Sequence, residues 1–261
     1  MKGLPNLGNT CYFNAALQCL LQVPILTNYF LQVSEQQSDF VSEYQRIARQ
    51  YWSDDQGVID TRRLFQLFTE RYKQFQGYDQ QDAQEVVICM LDLFDQTLIK
   101  SIFGGRVTQE TLCPSGKSKL EEDFYSIVLY PSRNCSVSEA LEEHQKYVTI
   151  PEYTDAKGKT HHVSVSRTLL TRVPRVLIVT LQGRRLIRLE DKLLVKDASG
   201  IRGAAGAFKE LFALICHVGD ESGGHYVAFT KHKSDWFYKN DLHVTTEAPP
   251  EWAYYYLAIY K

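Results

Sequence analysis

The chain has 261 residues, 29 Lys and Arg against 31 Asp and Glu for a net charge of −2, and 44% hydrophobic residues. Such a chain can bury a core without staples, which excludes intrinsic disorder, collagen and coiled coil, and its balanced charge leaves no broad basic face for nucleic acid or an anionic membrane. Its longest wholly apolar stretch, Val86 to Leu91, is too short to cross a bilayer, and the opening MKGLPNLGNT, polar by Asn6, reads as no secretory signal. Six cysteines at 11, 19, 89, 113, 135 and 216 form no disulfide framework, which predicts a reducing compartment, cytoplasmic or nuclear.

In chain order, Phe13, Ala16, Leu17, Leu20 and Leu21 follow helical spacing from Cys11, and Pro24 is read as closing that run. Phe40, Tyr44, Ile47, Ala48 and Tyr51 predict a second helix, and Leu64, Leu67, Phe68 and Tyr72 a third. A fourth is expected from about Asp82 to Leu98, with Val86, Val87, Met90, Leu91, Phe94 and Leu98 on one face. After Gly104-Gly105 the pattern turns to strands: Phe124 to Leu129, Val163 to Val165, Arg175 to Gln182, Leu211 to Val218, His225 to Lys231, Trp236 to Lys239 and Ala253 to Tyr260. Ser199 to Ala207 is small and Gly-rich enough to predict a mobile loop. A helical front half and a β-rich back half predict an α+β fold of one domain with a cleft between the halves.

Cys11 follows two candidate caps, Asn9 and Thr10, and opens a helix, where the macrodipole and free N–H groups favour a thiolate nucleophile. Cys11 could equally be a small buried hydrophobe, and Cys19, Cys89 and Cys216, inside apolar patterns, read that way. A thiolate needs a histidine to pair with it. His225, at a strand start after Gly223-Gly224, is the candidate, against a histidine that merely packs. Asn240 or Asp241, on the expected hairpin mate, could orient its ring, although Asn-Asp alone is a turn dipeptide. Asn6 could supply an oxyanion donor beside the Cys11 N–H, or simply be a loop residue.

With these residues in order, the sequence resembles the ubiquitin-specific protease family of papain-like cysteine proteases. The match runs through GLPNLGNTCYFNAALQCLLQVP (Gly3 to Pro24), GYDQQDAQEVVICMLDLF (Gly77 to Phe94), EEDFYSIVL (Glu121 to Leu129), VPRVLIVTLQGRR (Val173 to Arg185), CHVGDESGGHYVAFTKH (Cys216 to His232) and WFYKNDLHV (Trp236 to Val244). The resemblance implies a papain-like fold with a helical thumb over about 1–103, fingers over about 104–172 and a palm over about 173–261. It implies Cys11 as nucleophile, His225 as general base and acid, Asn240 as third member with Asp241 beside it, and Asn6 as oxyanion donor. It further implies that Asp82 and Glu85, with Gln80 beside them, meet arginines of the ubiquitin tail. Tyr12, His217 and Tyr226 would then flank a narrow Gly-Gly channel. Ubiquitin or ubiquitinated proteins are the expected partners of a monomer, with no cofactor, nucleic acid or membrane.

The sequence departs from the family at its fingertips. Two Cys-x-x-Cys pairs there commonly hold zinc, but here the first reads Cys113-Pro114-Ser115-Gly116 and the second is replaced within Glu152 to His162. A makeshift site from Cys113, Cys135, His144, His161 and His162 has neither spacing nor geometry behind it, so the expectation is no metal and fingers held by strand pairing alone. Leu181-Gln182-Gly183-Arg184 and Val86 also stand where the family differs. Rival readings are a protease for another Gly-Gly-ending modifier, or an inactive ubiquitin-binding module. The intact set of Cys11, His225, Asn240 and Asn6 disfavours the second.

Overall fold

The computed structural model describes residues 1–33, 38–196, 198, 206–220 and 223–261. The expected loop at Ser199 to Ala207 therefore lies, through residue 205, outside the described residues.

The front of the chain is helical: α1 (Cys11–Leu20), α2 (Pro24–Gln32), α3 (Asp39–Trp52), α4 (Arg62–Arg71), α5 (Ala83–Asp92) and α6 (Gln96–Phe103). Two expectations are corrected. Pro24 does not end a helix; it opens α2, where its fixed φ and missing N–H cost nothing in the first turn. The fourth expected helix is two, because the Asp95 carboxylate accepts from the Leu98 N–H at 2.8 Å and caps a new start.

The strands are β1 (Gly105–Cys113), β2 (Gly116–Phe124), β3 (Ser126–Leu129), β4 (Cys135–Ser136), then after α7 (Val137–His144) β5 (Val148–Thr154), β6 (Thr160–Arg172), β7 (Leu177–Leu181), β8 (Ile187–Arg188), β9 (Lys192–Val195), β10 (Ala207–Asp220), β11 (Gly223–His232), β12 (Asp235–Asn240), β13 (His243–Thr246), β14 (Trp252–Ala253) and β15 (Tyr255–Tyr260). The main sheet runs β13-β12-β11-β10-β15-β7-β3, with β9 on β10, and is antiparallel except for the β3–β7 pair. The expected hairpin of β11 and β12 is present, with Ala228 opposite Lys239. A second sheet, β2-β1-β6-β5, projects away as two hairpins joined through β1 and β6.

Two cores result. Helical side chains pack on one face of the main sheet against Ile178, Ile215, Ala228 and Ile259, while Val179, Leu214, Val227 and Ala258 face the other way with α7. Alternation along each strand divides them. Every residue of α1 is buried, since the helix sits between α5 and β11 and exposes no face. Its first residue, Cys11, is thereby held on β11. No helix among the described residues is long and apolar enough to cross a membrane.

Candidate active site

Cys11 is the first residue of α1 and is 1% exposed. Its Sγ accepts from the Tyr226 backbone N–H at 3.4 Å and lies 3.6 Å from Gln80 Nε2. A backbone donor and the N-terminus of α1 thus meet at this sulfur. Gln80 is therefore at the thiol; its amide also donates to Asn9.

His225 precedes Tyr226 on β11 and so starts beside the thiol. Its Nε2 donates to Asn240 Oδ1 at 2.7 Å, whereas Asp241 Oδ2 is 3.9 Å away, beyond hydrogen-bonding distance. An amide oxygen only accepts, so this bond puts the proton on Nε2 and leaves Nδ1 as the basic nitrogen.

Asp241 has other partners. Its Oδ2 accepts from Asn6 Nδ2 at 2.9 Å and its Oδ1 from Asn14 Nδ2 at 2.8 Å. The residue sits in the left-handed region (φ 52°) at the β12–β13 turn, and its carbonyl accepts from the Leu4 N–H at 2.9 Å. Gly3 is required for this approach, because a Cβ there would lie 2.4 Å from the Leu242 carbonyl oxygen. Asn6 Oδ1 in turn accepts from the Gly8 and Thr10 N–H groups at 3.1 and 3.0 Å. One carboxylate thus fixes the approach loop and α1 together. Asn14 was not singled out in the sequence. Its signal was available: a polar residue three positions after Cys11 in an otherwise apolar run must find partners once buried.

The residues expected to meet substrate separate into three groups. Asp82 caps α5, its Oδ1 accepting from the Gln84 and Glu85 N–H groups at 2.7 and 3.2 Å and from the Tyr256 hydroxyl, while Glu85 is exposed beside it. His217 and Tyr226 line a small cavity of about 130 Å³ with Gln182, Tyr254 and Tyr256. The His217 ring lies over Gly224, where a Cβ would fall 2.1 Å from Nε2. Tyr12 is a correction: it is 1% exposed and stacks on Phe75 at 6.3 Å, so its ring belongs to the core and not to a channel wall. The Tyr12 ring turns from α1 into the packing around Phe75, whereas Cys11 Sγ meets Gln80 and the Tyr226 N–H.

Lys239, next to Asn240, is 2% exposed, and its Nζ donates to Gln18 Oε1 at 2.9 Å and to the Tyr51 hydroxyl. Burial pushes it down from 10.5 to about 7. Between those values the unfolded chain keeps a proton that the folded chain has released, so stability from this group rises with pH above about 7. Below that, the fold carries a buried ammonium. Lys239→Met should therefore flatten the rise of Tm with pH and gain relative stability at the acid end. Thermal melts over about pH 6 to 9 check this. Identical slopes in the two proteins would show that the fold does not disfavour the ammonium.

At the far end of the second sheet, the β1–β2 and β5–β6 turns meet. Cys113 Sγ, Asp155 and His161 lie within 4.8 Å of one another, while Cys135 is in β4 and His144 in α7. The expectation of strand pairing alone is corrected: side chains also tie the turns, with Ser115 Oγ donating to Asp155 Oδ2 at 2.6 Å.

A family model described as "Ubiquitin carboxyl-terminal hydrolase" matches residues 2–257. The chain is 23% identical over 317 residues to Ubiquitin carboxyl-terminal hydrolase nonstop of Drosophila melanogaster, covering 95% of this chain and 64% of that protein. It is also 23% identical over 291 residues to Usp2 of the same organism, covering 88% and 31%. The chain thus spans less than two thirds of each of these relatives. Among solved structures, it is similar to a chain in the SAGA Ubp8/Sgf11/Sus1/Sgf73 DUB module bound to ubiquitin aldehyde, with a TM-score of 0.84 at 19% identity, covering 100% of this chain and 69% of that one. A second structure of the SAGA DUB module, bound to monoubiquitin, gives a TM-score of 0.81 at 18% identity, covering 100% and 68%. At these identities the structural likeness establishes the α+β fold.

Proposed function

Because the chain belongs to the ubiquitin carboxyl-terminal hydrolase family, we propose that it is a cysteine-type deubiquitinase hydrolysing isopeptide or peptide bonds at the C-terminal glycine of ubiquitin. The observation that carries this reading is a thiol at a helix N-terminus, bonded by the Tyr226 N–H, with an imidazole oriented by Asn240 on the adjoining residue. Two structural relatives are described as bound to ubiquitin aldehyde and to monoubiquitin, which supports ubiquitin as the partner.

In the reaction we infer, the Cys11 thiolate attacks the carbonyl of the terminal glycine. The oxyanion is met by the Cys11 N–H and by the amide of Asn6, which has two N–H bonds and gives one to Asp241. His225 Nδ1 takes the Cys11 thiol proton as the thiolate forms and gives it to the departing lysine amine, then takes one from the water that hydrolyses the thioester and returns it to the leaving Cys11 sulfur. Asp82 Oδ2 and the exposed Glu85 carboxylate pair with arginines of the tail, as charge-assisted bonds to guanidinium are strong and directional. The Gly-Gly end passes between His217 and Tyr226, where a side chain would clash. Residues 1–103 form the thumb, 104–172 the fingers and 173–261 the palm. Six free cysteines, one of them a nucleophile needing to stay reduced, fit a cytoplasmic or nuclear setting.

The test is labelling by modifiers carrying a C-terminal electrophile, ubiquitin among its Gly-Gly-ending relatives, read by intact mass. One adduct with ubiquitin is expected, absent in Cys11→Ala and reduced in His225→Ala. An adduct with a different modifier only would replace the substrate, and none with any, despite measurable ubiquitin binding, would leave a binding module.

A further inference from the structure

A cavity of about 340 Å³ lies where α2, the end of α3 and the β11–β12 turn meet, and no residue of the candidate active site lines it. Its apolar lining comes from Pro24 and Leu31 of α2, Trp52 of α3 and Phe212 of β10. Both rings are held in place. Trp52 Nε1 donates to the Leu21 carbonyl at 3.1 Å. Phe212 is the extra residue where β10 slips in register, between Leu211 opposite Tyr260 and Ala213 opposite Ile259. Such a bulge re-aims a side chain, and here it turns Phe212 to the helical side of the sheet beside Ala213.

The same cavity is edged by cations. Lys233 in the β11–β12 turn and Lys261 after β15 both line it and are exposed. His232, at the end of β11, lies against Trp52 with ring centroids 5.3 Å apart. Lys261 Nζ stands 5.7 Å over the Phe212 ring, while its main-chain carbonyl accepts from the Glu210 N–H at 2.8 Å. Lys231 sends its Nζ over Trp236 instead, at 5.7 Å. Among the described residues no Asp or Glu lines the cavity, and neither Lys233 nor Lys261 forms an ion pair. Burial, and after it cations led by Lys233, push the His232 imidazole down, with Asp235 alone pulling the other way. This edge of the molecule is electropositive.

We propose that this cavity docks a short acidic segment of a partner protein, one that carries a large apolar side chain between carboxylates. The apolar side chain fills the space over Trp52 and Phe212, and the carboxylates meet Lys233 and Lys261. A volume of about 340 Å³ is at the small end of ligand pockets and suits one large side chain with its own backbone. An aromatic-lined hole inside an exposed charged rim is how interfaces with partner proteins are built. The two lysines stand on separate elements, a turn and the end of β15, so they match carboxylates spread along a chain and not one compact anion. From His225 to His232 is seven residues of β11, roughly 23 Å at about 3.3 Å per residue, so the occupant stays clear of the thiol and its imidazole. The docking site is independent of the hydrolase reading.

The test uses the full chain and fluorescein-labelled Glu-Asp-X-Asp-Glu peptides, with Phe, Trp, Leu, Ile, Met or Ala at X, read by fluorescence anisotropy. At least one large apolar centre should bind saturably and at least ~10-fold more tightly than the Ala peptide. Lys233→Glu with Lys261→Glu should weaken that binding at least ~10-fold. Lys157→Glu with Lys159→Glu, the same change of charge at the β5–β6 turn, should leave it within about twofold. All four lysines are exposed, so neither pair should disturb the fold, and turnover of a ubiquitin C-terminal amide should stay within about twofold of the parent in both. On titration with the tightest peptide the Trp52 indole N–H resonance, assigned by its loss in Trp52→Phe, should shift while that of Trp252 stays. No large-centred peptide bound, equal binding of the Ala peptide, an unmoved Trp52 resonance or binding indifferent to the Lys233 and Lys261 reversal overturns the docking site. Phenylacetate displacing the peptide at equal concentration would leave a pocket for small carboxylates. Dimerisation of the parent that the Lys233 and Lys261 reversal abolishes would give the cavity to a second copy. Either result overturns the acidic partner.

Discussion

A Cys11→Ala chain should lose at least ~10³-fold of kcat toward a ubiquitin C-terminal amide while its affinity for ubiquitin stays within about threefold of the parent. The size follows from the role: without Sγ no thioester forms, and the remaining donors can only polarise a carbonyl. The unchanged affinity follows from the geometry. Sγ touches Gln80 and the Tyr226 N–H, and with its residue only 1% exposed its loss removes little of the surface that a bound tail would cover. Stability should fall little, because alanine keeps the helical position and removes one atom of a buried side chain. Single-turnover assays on the amide substrate, beside a binding titration, separate the two quantities. If kcat falls less than tenfold, the nucleophile lies elsewhere, and Cys89 and Cys216 would be the next thiols to replace. If affinity collapses together with kcat, the loss is one of folding.

Much of this site could be read in the sequence because its chemistry is local. Cys11 opens a helix after Asn9-Thr10, and His225 opens a strand after two glycines, so residue type and immediate neighbours suffice. The strands of the main sheet were legible for a related reason: Leu177 to Leu181 is buried at all five positions, and a short β-branched run is the mark of that burial. The polar strands β2 and β5 lacked this mark, since a strand wet on both faces has no alternation to detect, and β1 hid it by burying polar residues, Thr108, Glu110 and Thr111. Pro24 was misread because proline ends one helix and starts the next equally well. Asn14 and Asp155 were missed because their partners are remote. Asn14 meets Asp241 across 227 positions, and Asp155 meets Ser115 across 40 between separate hairpins. Tyr12 failed in the other direction: a family motif assigns its number, but only packing decides which way a ring faces.

The division of labour between Asn240 and Asp241 gives the second large effect. Asn240 alone bonds the His225 ring, whereas Asp241 bonds Asn6 and Asn14. If Asp241 acts through Asn6, Asp241→Ala should cost roughly 10²–10³ in kcat with KM within about threefold, the size of losing one oxyanion donor. Asn6→Ala should cost the same, and the double variant hardly more than either, since both changes remove one donor from one place. Independent actions would instead multiply to about 10⁴ or beyond. Asn240→Ala should combine with either in full, because it loosens the base and not the oxyanion site. Asp241→Ala also takes from Asn14 Nδ2 its 2.8 Å carboxylate acceptor and leaves it the Pro5 and Leu4 carbonyls at 3.1 and 3.4 Å, so Tm will fall in that variant by the worth of one charge-assisted hydrogen bond, about 1.5–3 kcal/mol. Adding Asn14→Leu removes the weakened group and should recover part of the Tm without recovering kcat. Recovery of both would make Asp241 a clamp on α1 and nothing more, and a full product of the Asp241 and Asn6 effects would assign the carboxylate to the imidazole despite the 3.9 Å between them.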